Sequence, residues 1–278
     1  MERRQFVSAA ALTAASYQRV MGANDRVTVG LIGSGGRGQQ VWKEFLAQPV
    51  NPGAVCDVYQ PNLEKGVAMS GGRARGFGDF RQLLEMKELD VIVVATPDHW
   101  HAIPTIEACK AGKDVYVEKP LALTVEEGRY MVRAARKYNR VVQVGSQQRS
   151  GAHYAEAVDL LRAGKIGRIP HITANFVRNV MPGFGKPANA APPSELNYEM
   201  WLGPAPKVDY NPLRVLYHFR WFWDYSGGQM TNWGAHELDI ARWGMNARAP
   251  LTVAGFAGRF ANTDGGQTPD VQEVLYRF

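Results

Sequence analysis

The amino-acid sequence predicts an α/β protein, a doubly wound parallel sheet followed by a second domain of different local pattern. Three features carry that expectation. Short apolar, β-branched runs alternate with helical periodicity over roughly 120 residues. The first of these runs breaks at a cluster of glycines that opens the first helix. Past Gly145 the alternation stops, and loops rich in Pro, Gly and aromatic residues take over. A chain of 278 residues that is 45% hydrophobic supports two cores, at a prior of about 150 residues per domain.

The elements follow in order. Val27 to Ile32 is apolar and rich in β-branched residues, as a strand buried on both faces requires. Gln39 to Gln48 has helical spacing, with Val41, Trp42, Phe45 and Leu46 on one side and Pro49 and Pro52 to stop it. Strands are then expected over Gly53 to Val58, Asp90 to Ala95, Asp114 to Val117 and Arg140 to Val144. Helices are expected around Phe80 to Met86, Ile103 to Ala111 and Val125 to Tyr138. Beyond Gly145 the pattern predicts a helix near Tyr154 to Ala163 and a strand near His171 to Arg178. A loop from Met181 to Pro193 follows, then an aromatic-rich tract past Tyr198. Val271 to Phe278 alternates like a half-buried strand and stops without a turn or closing helix, which reads as an interrupted second domain.

The formal charge of +6 is scattered, so no basic block suggests nucleic acid, and a phosphate-bearing cofactor explains the sign equally well. Cys56 and Cys109 are the only cysteines; they exclude a disulfide framework and any cysteine-rich metal site, and read as small buried hydrophobes. No His/Asp/Glu spacing suggests a metal, and neither a G-x-S-x-G elbow nor a Walker loop is present. At the N-terminus, Arg3-Arg4-Gln5-Phe6 precedes a mildly apolar run from Val7 to Ser16 and a small-residue cleavage candidate at Met21-Gly22-Ala23. Residues 1–23 therefore read as a twin-arginine export signal, too short and too polar to span a bilayer. A frayed amphipathic helix is the other reading, and it leaves the protein cytoplasmic. The expected domains are 24–146 and 147–278.

Gly33-Ser34-Gly35-Gly36-Arg37-Gly38 satisfies G-x-G-x-x-G between a strand and a helix, the context that makes this pattern a dinucleotide fingerprint of a Rossmann domain. Gly33 permits the tight turn, Gly35 lets backbone approach a pyrophosphate, and Gly38 lets helix and sheet pack closely, while Ser34 and Arg37 stand within the same loop. Asp57 ends the second strand roughly 20 residues later, where a carboxylate accepts from the adenosine ribose hydroxyls. That carboxylate favours NAD over NADP by repelling a 2′-phosphate, an effect Arg73 or Arg75 would weaken.

At Glu118-Lys119-Pro120 the sequence resembles the Gfo/Idh/MocA family, named for glucose–fructose oxidoreductase, inositol dehydrogenase and a rhizopine-catabolism protein. Ala95-Thr96-Pro97-Asp98-His99-Trp100-His101 resembles the family's loop over the cofactor, and Val144 to Arg149 its domain junction. Gly227-Gly228 with Gly234-Ala235-His236 and Asp239 resembles its catalytic helix. The resemblance runs from Val27 to the C-terminus. It implies an α+β second domain on a largely antiparallel open sheet, with substrate between that sheet's helices and the nicotinamide, and homo-oligomers of the full-length protein. Thr96, Pro97, His101, Glu118 and Lys119 take cofactor-facing positions on this basis. Lys119 matches the lysine that approaches the reacting carbinol and His236 the histidine taken as general acid/base. Oxidising a carbinol removes its O–H proton as hydride leaves carbon, and histidine is the side chain whose ordinary pKa lies near neutrality.

Asn232 departs from the family, many members of which place an aspartate there, four residues before the histidine. Asparagine cannot exchange a proton but can bond substrate or orient the imidazole. Other positions carry two readings each. His101 either faces the nicotinamide or joins His99 in capping the helix near Ile103, with Asp98 as N-cap. Arg149, His153 and Tyr154 either meet substrate or lie on a helix surface. Arg220 can bind hydroxyls or carboxylate, and Trp221 and its aromatic neighbours either stack on a sugar or fill a core. The expected function is an NAD-dependent oxidoreductase of a sugar, polyol or glycoside hydroxyl. The alternatives are an NAD-using glycosidase or lyase that works by transient oxidation and elimination, and a non-catalytic dinucleotide- or sugar-binding protein.

Overall fold

A computed structural model of the protein describes residues 26–178 and 181–278, so the expected signal segment lies outside the described residues. Six strands form one sheet: β1 (Thr28–Ile32), β2 (Asn51–Cys56), β3 (Arg75–Phe77), β4 (Val91–Val94), β5 (Asp114–Glu118) and β6 (Val142–Gly145). Their order is β3-β2-β1-β4-β5-β6 and every ladder is parallel, the arrangement of a Rossmann domain. Its helices are α1 (Gly36–Leu46), α2 (Gln60–Met69), α3 (Phe80–Leu84), α4 (Ala102–Lys110) and α5 (Val125–Lys137).

Helices on both faces explain the uninterrupted apolar strands. In β4, Ile92 and Val94 join a core with Leu83, Val115 and Met131, whereas Val93 between them joins the opposite core with Val29, Leu31, Val41 and Trp42. This is the two-residue period of a strand shared between two buried faces. Trp42 is fully buried and donates its indole N–H to Gly66 O at 3.2 Å, which pins α1 to α2. A capping box of Thr124 and Glu127 starts α5, and Arg136 and Lys137 complement its C-terminal dipole.

Two elements of the Rossmann domain escaped the sequence pattern. Helix α2 starts on Gln60-Pro61 with Pro in the first turn, contains Gly66, and buries only Leu63 and Gly66. Strand β3 is a three-residue edge strand whose Arg75 and Gly76 are exposed, so it has no alternation to detect.

The second domain contains α6 (Ala152–Arg162), α7 (Tyr198–Leu202), α8 (Ala235–Met245) and an antiparallel pair, β7 (Thr252–Gly258) with β8 (Val271–Arg277). The strand expected at His171 to Arg178 does not form. Its residues are exposed and have no ladder partner among the described residues, and Phe176 instead stacks on Trp233 at 4.7 Å. Alternating residues make a strand only where a neighbour supplies the ladder, and here β7 and β8 pair with each other. The aromatic tract forms a core of its own: Trp201, Phe219, Trp221, Phe222 and Tyr225 pack with Leu196 and Leu213, and Val58 and Tyr59 of the Rossmann domain lean on them. Among the described residues no helix is long and apolar enough to cross a membrane.

Candidate active site

A cleft of about 850 Å³ runs from the glycine turn at the end of β1 to the first turns of α8. Its cofactor end is shaped by close approach. Gly33 has φ +89°, and a Cβ there would fall 2.7 Å from the backbone of Ala95 and Thr96. A Cβ on Gly38 would fall 1.9 Å from Gly33 O, so only glycine allows α1 to sit this close to the turn. Gly35 is the N-cap of α1; no side chain caps the helix and no acid lies in its first turn. A Cβ on Gly36 would meet nothing within 4 Å. The N–H groups in the first turn of α1 therefore have no side-chain cap, and the positive end of the dipole lies behind them, a cradle that fits a pyrophosphate.

Ser34 and Gly38 lie beneath the cradle rather than on the cleft lining. The Ser34 hydroxyl is buried against Gly66, and its backbone N–H donates to Asp57 Oδ2 at 2.7 Å. The other Asp57 oxygen accepts from Tyr59 N at 2.9 Å. Burial pushes the Asp57 carboxyl up to about 6, against those backbone bonds. Across the cleft, Thr96 and Pro97 follow β4, and Thr96 Oγ1 is buried without a hydrogen-bond partner. His101 also lines the cleft, but its ring is tied between two carbonyls, Pro120 O at 2.6 Å and Thr96 O at 2.9 Å. Neither it nor Asp98 caps α4 through its side chain. Asp98 accepts from Ser226 Oγ at 2.6 Å, and His99 and Trp100 both reach Trp201 O at 3.0 Å. This loop thus clamps the second domain to the first.

Glu118, at the end of β5, is 3% exposed and organises the middle of the cleft. It accepts from Arg37 Nε at 3.0 Å, from Gln147 Nε2 at 2.5 Å and from the Lys119 backbone N–H at 3.2 Å. Arg37 is consequently held by a carboxylate as well as lining the cleft. Lys119 Nζ donates to Asn232 twice, to the backbone oxygen at 2.8 Å and to Oδ1 at 3.0 Å. Burial pushes its ammonium down from the usual lysine range, with Asp98 and Glu118 opposing. A π-helical turn, Met230–Gly234, precedes α8 and carries Asn232 into the cleft beside His236. Burial, and then the positive charges of Lys119 and Arg37, hold His236 down at about 4, so its ring is neutral at ordinary pH.

Arg220 lines the cleft as well. The structure does not bring Arg149, Tyr154 or Trp221 there. Arg149 makes a two-pronged bond to Asp239, at 2.6 and 2.7 Å, and lies over the Trp243 ring. Tyr154 packs on His153 at the start of α6, and Trp221 belongs to the aromatic core. Conversely, Arg178, Tyr217 and Trp233 line the cleft and were not singled out by sequence reasoning. The turn that presents Tyr217 carries a signal visible only in the fold. Leu216 has φ +54°, a conformation that costs a branched residue roughly 1–2 kcal/mol. Among the described residues, no three His, Cys, Asp or Glu side chains gather to hold a metal.

A model of the oxidoreductase family's NAD-binding Rossmann fold matches residues 27–146, and a model of that family's C-terminal alpha/beta domain matches residues 178–254. The chain belongs to the Gfo/Idh/MocA family. A glycosyl hydrolase family 109 protein of Shewanella sp. (strain W3-18-1) is 31% identical over 165 residues, 56% of this chain. The chain spans only 36% of that relative's length. GenD2 from gentamicin A biosynthesis, in complex with NAD, superposes with TM-score 0.68 at 21% identity, over 91% of this chain and 62% of its own. Levoglucosan dehydrogenase, in complex with NADH and levoglucosan, superposes with TM-score 0.65 at 22% identity, over 91% and 64%. At such identities the two structures share the Gfo/Idh/MocA fold with this chain. The family match makes residues 27–146 the NAD-binding part of the molecule.

Proposed function

We propose that the protein moves a hydride between the carbinol of a sugar, polyol or glycoside and NAD. The observation that carries this reading is the meeting of Lys119, Asn232 and a neutral His236 in the cleft that begins at the glycine cradle. A nicotinamide bound along this cleft supplies the hydride acceptor. His236 accepts the carbinol proton, and Lys119 holds the negative charge that develops on the carbinol oxygen while Asn232 fixes the ammonium. Asn232 exchanges no proton, so His236 carries that transfer alone. Asp57 stands where the adenosine ribose is expected, and its carboxylate disfavours a 2′-phosphate, which supports NAD over NADP. Support for a sugar comes from levoglucosan dehydrogenase, which shares the fold. Calorimetric titration with NAD and NADP, followed by NADH formation across a panel of sugars and glycosides, tests the reading. Binding of neither dinucleotide by intact protein refutes it.

The likeness to a glycosyl hydrolase family 109 protein favours a second reading, in which transient oxidation acidifies a neighbouring C–H, the glycoside eliminates and the cofactor is regenerated. Tightly retained NAD with glycoside cleavage and no net NADH selects it. The proposal extends to export, since residues 1–23 read as a twin-arginine signal; sequencing the mature N-terminus from the native host tests this. It also extends to pairing of copies through the β7–β8 sheet, where Val253, Phe256 and Leu275 are exposed; analytical ultracentrifugation of the full-length protein tests that.

A further inference from the structure

The cleft lining holds more positive charge than the proposed hydride chemistry needs. Arg178 and Arg220 both belong to it, on either side of Tyr217. Arg178 Nη1 donates to the Tyr217 hydroxyl at 2.9 Å, and Arg220 Nη1 donates to the Tyr217 backbone oxygen at 2.9 Å. The Arg220 guanidinium also lies over two rings, 4.5 Å from the Phe219 centroid and 5.0 Å from that of Tyr217. It is therefore held in one place, half-buried, with most of its N–H donors unspent. Neither arginine has a carboxylate within 4.0 Å among the described residues, whereas Arg37 and Arg149, nearer α1 and α6, each have one. A half-buried guanidinium without an adjoining carboxylate is costly, and its planar fork is suited to a carboxylate in two-pronged geometry.

We infer that the substrate is a sugar acid, whose carboxylate is received by Arg220 and Arg178 while its carbinol lies at Lys119 and His236. The inference rests on the oxidoreductase reading of this same cleft and adds the substrate class. The charges favour a single negative group. Lys119 is assigned to the carbinol oxygen and is braced by Asn232. Of the rest, Arg220 feels one acid, Asp98, whose charge also bears on Lys119, and Arg178 adds a second guanidinium. That leaves one net positive charge, which a carboxylate balances and a phosphate dianion overshoots. Trp233 supplies the apolar wall a pyranose face needs: it is 38% exposed, stacks on Phe176 at 4.7 Å and meets the His236 ring edge-on at 6.2 Å.

The test compares matched probes on the full-length protein saturated with NAD. Binding by calorimetry and NADH formation are measured for D-glucuronate and D-galacturonate, for D-glucose and D-galactose, and for D-glucose 6-phosphate. The acids are expected to be favoured over the neutral sugars by at least tenfold. Arg220→Gln is expected to remove ten- to hundredfold of that preference, the range for a hydrogen bond to a charged group, and Arg220→Lys to restore part of it. Equal affinity for acids and neutral sugars, preference for the phosphate, or a preference unchanged in Arg220→Gln each overturns the inference. Hydride transfer to neutral sugars with no gain for acids overturns it while the oxidoreductase reading stands. Binding of acids without any hydride transfer supports the carboxylate site and counts against that reading. Absence of NAD binding defeats both.

Discussion

Gly38→Ala isolates the contact on which the cofactor cradle depends. The added Cβ falls 1.9 Å from Gly33 O, a backbone atom that cannot rotate away. Ordinary carbon contacts lie at about 3.5 Å, so the N-terminus of α1 has to retreat by roughly 1.5 Å. An N–H···O bond of about 2.9 Å stretched by that amount is no longer a hydrogen bond. If two N–H groups of the first turn lose an anionic partner, at about 1.5–3 kcal/mol each, the loss is about 3–6 kcal/mol, or roughly 10²–10⁴ in Kd. Overpacking alone costs about 1–3 kcal/mol, which lowers Tm by several degrees in a chain of this size. Isothermal titration with NAD and a thermal melt read the two effects separately. Gly128→Ala is the control: it lies within α5, its nearest outside contact would be an ordinary 3.7 Å, and it is expected to stabilise by about 0.5–1 kcal/mol without touching NAD affinity. If Gly38→Ala binds NAD within threefold of wild type, the steric account of the cradle is wrong.

Three further outcomes follow from the site. His236→Ala is expected to lower kcat/KM about 10²–10⁴-fold, and since the neutral ring is the base and is held at about 4, the wild-type rate at saturating NAD should persist as pH falls through 6.5 and fail only near pH 4. An acid limb at 6.5 contradicts the lowering of His236 by burial and by the charges of Lys119 and Arg37. Asn232→Asp places a carboxylate about 6 Å from the imidazole, an attraction of about 0.7–3 kcal/mol between high and intermediate dielectric, so the same limb should move up by about one pH unit. An unmoved pH profile shows that residue 232 does not act electrostatically on His236. Asp57→Asn removes the charge facing a 2′-phosphate at about 4 Å, worth roughly 1–4 kcal/mol, and should shift the NADP-to-NAD affinity ratio tenfold or more towards NADP; an unchanged ratio in paired titrations assigns selectivity elsewhere.

The parallel sheet and its cradle were legible because their signals are local. Continuous apolar strands, the glycines at 33, 35 and 38, and Asp57 at the end of β2 depend on residues close together in the chain. Helix α2 and strand β3 were missed because a Pro-initiated helix with little buried surface and a charged edge strand have weak periodicity. The strand expected at His171 to Arg178 failed for the complementary reason: its pattern was present and its ladder partner was not.

Only the tertiary structure decided which polar residues share the cleft. Arg149 and Arg220 look alike in the sequence, yet Asp239, ninety residues away, takes Arg149, whereas the turn at Leu216 and Tyr217 delivers Arg220 to the cleft. Lys119 meets Asn232 across 113 residues, and Asp98 meets Ser226 across 128. Short-range backbone preferences and hydrophobic periodicity reach no further than a turn or a strand. Charge neutralisation and burial act between whatever surfaces the folded chain brings together, so the chemistry of this cleft was settled by long-range packing.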